Sequence, residues 1–494
     1  MHVPLDISDQ SPLEPDGHVS KRLIAMAAVA ALGGFLFGFD SAIINGTVDA
    51  IRDQYGLSPT ILGFAVSVAL LGAGLGAWTA GICANRIGRV RTMLVAAALL
   101  AVSAIGSGLA FGVWDLVFWR FIGGVGIGFA SVIAPAYIAE ISPAKYRGRL
   151  ATMQQMALVI GIFLALLVSA LFARIAGGAA DQLWLGLSAW RWMFISAALP
   201  ALIYGVLAIR LPESPRYLVT KNRLAEAATV LRDVLHLDSD AATQRKIADI
   251  QHTVNTERKQ RFSDLLDGRF YFLPLVWVGI GLSVFQQFVG INVIFYYSTT
   301  LWQSVGFQES DSFTISVITA VTNIVATIIA ISLIDKVGRR ALLLFGAATM
   351  TASLGMMAIA FAQSSTVDGA VTMPAAWGIT ALIAANVFVV GFGFSWGPVV
   401  WVLLGEMFPN RIRALALGLG AAAQWIANFV VSTTFPPLAA LGLQYAYGLY
   451  GACALLAFIF VWKAVPETNG RQLEAMDSLT RAELPAERTA PLAT

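Results

Sequence analysis

Residues 92–113 read TMLVAAALLAVSAIGSGLAFGV, 22 positions without one charged side chain. An α-helix needs about 20 such residues to cross a hydrocarbon core roughly 30 Å thick. Arg86-Ile87-Gly88-Arg89 stands just before this run, and a second apolar run, 115–141, begins almost where it ends. Working outward in both directions gives twelve runs of this kind: 23–45, 59–84, 92–113, 115–141, 150–173, 190–211, 272–304, 312–336, 341–363, 374–408, 412–441 and 443–466. Their apolar residues show no alternation of period two, which argues against a transmembrane barrel. The predicted fold is all-α, with twelve transmembrane helices in two groups of six.

The charges agree with that reading. Only 12% of the 494 residues are charged, about half the share usual in soluble domains. Of the 61 charged residues, 19 fall in 212–271, 9 in 463–494 and 6 in 1–22, leaving 27 across the 380 residues of 23–211 and 272–462. Blocks so poor in charge cannot form a soluble surface, so the chain is expected to sit in a bilayer. The expected organisation is a tail at 1–22, a six-helix half at 23–211, a helical linker at 212–271, a second half at 272–466 and a tail at 467–494.

Basic residues fix the expected orientation. On one side the connections carry only Arg52, Arg174 and Arg191, whereas 28 others fall on the opposite side. The positive-inside rule places that richer side, and both termini, in the cytoplasm. The polar, acidic segment 1–22 with Pro4, Pro12 and Pro15 lacks the form of a signal peptide, so the first run should persist as a helix. A net charge of +3 reports this topology and does not suggest nucleic-acid binding. Cys83 and Cys453 lie inside apolar runs and imply neither a disulfide framework nor a metal site.

The two halves repeat. Arg86-Ile87-Gly88-Arg89 recurs as Lys336-Val337-Gly338-Arg339. Glu140, Pro143 and Arg147 recur at identical spacing as Glu406, Pro409 and Arg413. Pro212-Glu213-Ser214-Pro215 recurs as Pro466-Glu467-Thr468-Asn469. Three pairs in order, at offsets of 250, 266 and 254, indicate parallel repeats related by an axis along the membrane normal. Carriers built this way bind substrate between their halves near the midplane. The repeated charges Arg86, Arg89, Glu140, Arg147, Arg339, Glu406 and Arg413 are expected to lock the halves together at the cytoplasmic rim; the alternative is that they serve topology alone.

Polar side chains inside spans mark functional sites by default. Gln286, Gln287, Asn292, Tyr296 and Tyr297 interrupt the seventh run around Gly290. At about 100° per residue a straight helix would set Gln287 and Asn292 roughly 140° apart. A break near Gly290 would turn both into one cavity, as in the discontinuous helices of transporters. Gln155, Asn323, Gln424 and Asn428 add amides from other runs, and Trp401 and Trp425 add flat apolar faces. Amides offer donors and an acceptor together, which suits a neutral polyol. Helix–helix hydrogen bonding is the competing reading.

No phosphate-binding P-loop string occurs, and all four histidines lie in the polar segments. Transport must then be passive or ion-coupled. Asp40 is the only acid well inside the first six runs, and Arg120 lies at matching depth near the same face. A carboxylate alternating between an apolar setting and a guanidinium neighbour can load and release a proton. A permanent structural salt bridge is the alternative.

The strings RFIGGVGIGFASVIAPAYIAEISPAKYRGR (120–149), PESPRYL (212–218), QQFVGINVIFYYS (286–298), DKVGRR (335–340), GPVVWVLLGEMFPNRIRALALG (397–418) and PETNGR (466–471) resemble the sugar porters of the major facilitator superfamily. The resemblance runs from Gly33 to about Arg471. Bacterial sugar–proton symporters, the D-xylose symporter among them, and the facilitative glucose carriers of animals are similar. Asn85 departs from the superfamily's usual Asp and implies a weaker rim contact. The resemblance implies that Gln155, Gln286, Gln287, Asn292, Asn323, Trp401 and Gln424 bind sugar hydroxyls, with Phe37 and Tyr296 at the wall. Ile162 and Phe295 are similar to the apolar choices of glucose carriers and imply D-glucose. It adds Glu213, Arg216, Arg340 and Glu467 to the rim motifs, implies coupling at Asp40 as in symporters, and implies linker helices that brace both halves.

The expectation is a proton-coupled monosaccharide symporter of the cell membrane that acts by alternating access. Its partners are sugar, protons and the bilayer, with no cofactor, no metal and a monomer as the working unit. Alternatives are a facilitative uniporter, a polyol or inositol carrier, or a membrane sugar sensor; a short tail argues against the last. No nucleophile–base or metal-ligand cluster suggests an enzyme.

Overall fold

A computed structural model describes residues 20–143, 146–235, 239–256, 262–267, 271–367, 370–409 and 412–468. Among them are twelve helices long and apolar enough to span a membrane: Lys21–Tyr55, Pro59–Ile87, Arg89–Gly108, Val113–Ile141, Thr152–Ala176, Ala189–Ile209, Pro274–Tyr296, Glu309–Ile334, Arg339–Phe361, Ala375–Met407, Leu415–Leu441 and Leu443–Ala464. They are called spans 1–12 in chain order. The protein is a multi-pass, all-helical membrane protein, and all twelve predicted runs coincide with these spans.

Spans 1, 6, 7 and 10 are interrupted, span 6 only at Ala197 between Ala189–Ser196 and Ala198–Ile209; the other three breaks bear on the site. Span 1 starts at an N-cap, where the Ser20 hydroxyl accepts the Leu23 N–H at 3.1 Å. It runs ten residues past the predicted end at 45. A 3₁₀ turn, Ile44–Thr47, is held by the Thr47 hydroxyl donating to the Ile44 carbonyl at 2.8 Å. A polar helix, Val48–Tyr55, then carries on to Gly56 in the left-handed region. Rising polarity after Asn45 had marked an end; the helix continues because an Asp49–Arg52 pair, 2.9 Å apart, supports the next turn.

Span 7 breaks where predicted. Pro274–Phe288 ends at Gly290, whose φ of +82° only glycine adopts freely, and Ile291–Tyr296 and Ser298–Gln303 follow as short helices. Span 10 contains a π-helical turn, Phe392–Trp396, between Ala375–Gly391 and Gly397–Met407. Single π turns inside α-helices are often found at functional sites.

Small residues let spans touch backbone to backbone. Gly72 and Gly76 of span 2 face Gly124 and Gly128 of span 4. A Cβ at any of the four would lie 2.0–2.2 Å from a carbonyl oxygen of the other helix. Gly38 of span 1 and Gly161 of span 5 are equally tight against each other's helices. Lipid supplies little hydrophobic drive for helix pairing, so close packing across small residues replaces it.

The buried side chains form two clusters. One takes in the whole second half together with the ends of spans 1 and 2 around Phe39–Ile51 and Leu62–Leu70. The other holds the linker-side part of the first half. It also takes in the linker helices Pro215–Thr220, Leu224–Leu235 and Asp240–Thr256, through Leu218, Leu231 and Ile247. These three helices pack beneath the first half, whereas Leu265 of the linker's short helix Phe262–Leu265 belongs to the second half's cluster, so the linker touches both halves. Arg22 of span 1 ties to Asp233 at 3.2 Å on the same side. Three short antiparallel hairpins complete the described elements: Gln182–Trp184 with Leu187–Ser188, Leu266–Asp267 with Tyr271–Phe272, and Ser365–Val367 with Ala370–Thr372.

Candidate functional site

The repeated rim motifs build the same assembly twice. In the first half the Glu213 carboxylate accepts the N–H groups of Arg89 and Val90 at 2.9 and 3.3 Å, at the start of span 3. In the second, Glu467 accepts those of Arg339 and Arg340, both at 3.0 Å, at the start of span 9. A carboxylate there satisfies orphan donors and the positive end of the helix dipole. The arrangement explains the glycines: Gly88 and Gly338 have φ of +102° and +92°, and a Cβ on either would meet the carboxylate. Beside each cap, Arg89 pairs with Glu140 at 2.8 Å and Arg339 pairs with Glu406 at 2.8 Å. The Ser214 hydroxyl donates to Glu140, and that of Thr468 to Glu406 at 2.6 Å.

Both ion pairs join helices of a single half. The lock expected between halves is thus not what these pairs form in this state; they tie spans 3 and 4, and 9 and 10, with Glu213 and Glu467 as caps. Asn85 accepts from Arg89 at 3.3 Å, a neutral contact where an aspartate would add charge. Arg340 donates to the Trp462 carbonyl at 2.6 Å and Arg413 to that of Phe408 at 3.0 Å. Arg86 is exposed, with its carbonyl accepting the Tyr217 hydroxyl at 3.2 Å. Arg216 is half-buried at the start of the first linker helix. The side chain of Arg147 lies outside the described residues.

At the end opposite the linker the halves meet through polar contacts that sequence reasoning missed. Asn45 Oδ1 accepts both the N–H and the hydroxyl of Thr299, at 2.9 and 2.7 Å, and the Asn45 carbonyl accepts that hydroxyl at 2.7 Å. Asp49 accepts from Thr300 at 2.9 Å and Gln303 at 3.4 Å. The Ser67 and Thr433 hydroxyls stand 2.5 Å apart, and Glu309 accepts the Ala179 N–H at 2.9 Å. Each contact crosses from one half to the other, so the seam is closed on that side. The usable signal was the polar pair Asn45 and Thr299, each hidden at the end of an apolar run.

Between seam and rim lies the polar interior. Gln286 Nε2 donates to the carbonyls of Trp396 and Gly397 at 2.8 and 3.3 Å. Gln287 Nε2 donates to Gln286 Oε1 at 3.4 Å, and Asn292 Nδ2 to Gln287 Oε1 at 2.6 Å. The break at Gly290 thus brings Gln287 and Asn292 together as predicted. Phe37 of span 1 meets Trp425 of span 11 with ring centres 5.4 Å apart, an aromatic contact between halves. Phe295 and Tyr296 are buried, and Asn323 is buried beside Gly393, whose missing side chain leaves it room. Gln155, Ile162 and Gln424 are half-buried on spans 5 and 11 and do not join the amide chain. Trp401 is 41% exposed, a ring left free of tight packing.

Asp40 and Arg120 form a buried ion pair at 2.9 Å, their side chains 7% and 3% exposed. The longer span 1 puts Asp40 deeper than its predicted place near a helix end. Arg120 also faces the Phe194 ring at 5.6 Å, and its Nε has no hydrogen-bond partner among the described residues. Tyr296 of the second half is buried near Ser41, next to Asp40, and near Asn428 of span 11. A buried pair contributes little net stability, whereas removing one partner costs about 3–5 kcal/mol. Such a pair inside a membrane protein is a functional candidate by default.

A family model described as sugar (and other) transporter matches residues 26–479. The chain belongs to this family of transporters. A glucose transport protein of Synechocystis is 53% identical over 468 residues, covering 94% of this chain and 99% of that one. A D-xylose-proton symporter of Escherichia coli is 36% identical, over 94% of this chain and 97% of the relative. Among solved structures, the inward open conformation of the Escherichia coli xylose transporter XylE matches with a TM-score of 0.77. It is 35% identical and covers 92% of this chain and 99% of that one. The same transporter bound to 6-bromo-6-deoxy-D-glucose matches with a TM-score of 0.75. The twelve spans therefore have the major facilitator fold.

Proposed function

We propose that this transporter is a proton-coupled symporter of a monosaccharide, D-glucose in preference to a pentose, working by alternating access. The observation that carries the reading is the Asp40–Arg120 pair. It is a titratable group in a nearly dry site, 2.9 Å from its counter-ion and close to Tyr296 of the opposite half. A proton arriving on Asp40 cancels the attraction that holds Arg120, which gives it different affinity in two conformations. Differential affinity is the only means by which a ligand shifts a conformational equilibrium. The neutral amides Gln286, Gln287 and Asn292, with Gln155, Asn323 and Gln424 on facing helices, suit sugar hydroxyls. Phe37, Trp401, Trp425, Ile162, Phe295 and Tyr296 supply the apolar wall for the ring.

In this reading residues 23–211 and 272–466 are the moving halves, carried by a monomer. The linker side and both tails face the cytoplasm of a cell whose plasma membrane holds the protein. Basic residues crowd that side, and the seam closed by Asn45 and Thr299 faces outward. The D-glucose preference is supported by the 53% identity to a glucose transport protein, against 36% to a D-xylose symporter. The test is radiolabelled D-glucose and D-xylose uptake into proteoliposomes with and without an inside-alkaline proton gradient. Concentrative uptake of D-glucose with the gradient supports the proposal. Equilibration alone under both conditions makes the protein a uniporter.

A further inference from the structure

The amide chain of span 7 ends on the backbone of span 10, and that end fixes its direction. Trp396 and Gly397 present carbonyl oxygens, which only accept, so the group facing them must be the NH₂ of Gln286. Gln286 Oε1 then points away and accepts from Gln287, whose own oxygen accepts from Asn292. The chain therefore runs one way from Asn292, beyond the break at Gly290, to the end of the π turn in span 10. The helix that starts there, Gly397–Met407, ends beside Glu406, which pairs with Arg339 at the rim. One element thus touches the pocket at its first residue and the rim at its last.

We propose that Gln286 is a positioning residue for span 10 and that the chain Asn292–Gln287–Gln286 is a clamp released by substrate. This rests on the reading of the pocket as a sugar site. In the empty carrier the clamp holds the start of Gly397–Met407 against span 7. A sugar hydroxyl that takes up Gln287 or Asn292 breaks a link, weakens the polarised chain behind it and frees Gln286 to turn from the two carbonyls. The wide π turn gives the freed helix a joint on which to move. Sugar occupancy is thereby read at the rim through the span that carries Glu406.

The test uses the whole protein with Cys83 and Cys453 replaced by serine and a reporter thiol at Gly405→Cys, where a Cβ meets open space. N-ethylmaleimide alkylation of the reporter is measured with and without saturating D-glucose, and glucose binding is measured separately by calorimetry. Losing one ordinary hydrogen bond changes a conformational equilibrium by about threefold or more. The parent should show a glucose-dependent change of that size. Gln286→Leu should shift the sugar-free rate about threefold toward the parent's glucose-bound value, a readout taken without sugar and so independent of any effect of the substitution on binding. Gln287→Leu removes the link that a sugar hydroxyl would break, so its sugar-free rate should also move toward the glucose-bound value, by less than in Gln286→Leu. A Gln286→Leu protein with the parent's sugar-free rate and full glucose response overturns the clamp. If the parent binds neither D-glucose nor D-xylose, the sugar reading fails, and the sugar-free comparison of Gln286→Leu with the parent still decides the clamp.

Discussion

Replacing Asn45 with alanine should open the seam. In the closed state Asn45 Oδ1 accepts the Thr299 N–H at 2.9 Å and its hydroxyl at 2.7 Å. The hydroxyl keeps the Asn45 carbonyl at 2.7 Å after the substitution, but the buried N–H loses its partner. An unsatisfied buried donor costs about 1–3 kcal/mol, and it costs nothing in a state where water reaches it. The whole penalty therefore falls on the closed seam, and the closed-to-open ratio should drop by roughly 5- to 150-fold. Spin labels at Asp53→Cys and Ser310→Cys, both exposed and on opposite halves beside the seam, report this by electron double resonance. The Asn45→Ala protein should gain a longer-distance population. An unchanged distance distribution would refute the assignment of the closed state's stability to this contact.

Gln287→Ala and Asn292→Ala should each weaken glucose binding by about 1–3 kcal/mol, since each leaves a hydroxyl or a partner amide unpaired. Calorimetric affinities within twofold of the parent for both would remove the proposed pocket. Arg339→Ala should lower the thermal midpoint in detergent, because Glu406 loses its counter-charge and the carbonyl of Ile334 loses a donor. Glu406 is partly exposed, so the loss should sit near the low end of roughly 1–3 kcal/mol. A midpoint equal to the parent's would show that the rim pair is not structural. Arg120→Ala should disturb the same transport step as a change at Asp40, by leaving the carboxylate without its counter-ion. Normal proton-driven accumulation in that variant would make the pair a packing feature only.

The fold was legible because the bilayer writes it in one dimension. A run such as 92–113 can satisfy its backbone in hydrocarbon only as a helix. The break at Gly290 was also readable, since Gln287 and Asn292 share a cavity only if the helix turns there. Other features depend on neighbours the local sequence does not name. The rim charges read as a lock between halves because Glu140 and Glu406 stand near arginines in sequence. Their partners, Arg89 and Arg339, come from the adjacent hairpin of the same half. The seam escaped notice because Asn45 and Thr299 are 254 residues apart and each looks like a helix end. The π turn at Phe392–Trp396 has no signature in polarity, and two of its residues, Ser395 and Trp396, are fully buried.

The central claim is that Asp40 carries the coupling, and one measurement addresses it most directly. Asp40→Asn keeps the shape of the side chain and removes its titration. Purified variant and parent are reconstituted into proteoliposomes, and radiolabelled D-glucose is followed in two modes: exchange between equal pools, and uptake driven only by an imposed proton gradient. The account predicts that the variant exchanges glucose and never accumulates it above equilibrium, while the parent does both. An Asp40→Asn protein that still concentrates glucose on a proton gradient alone would contradict it.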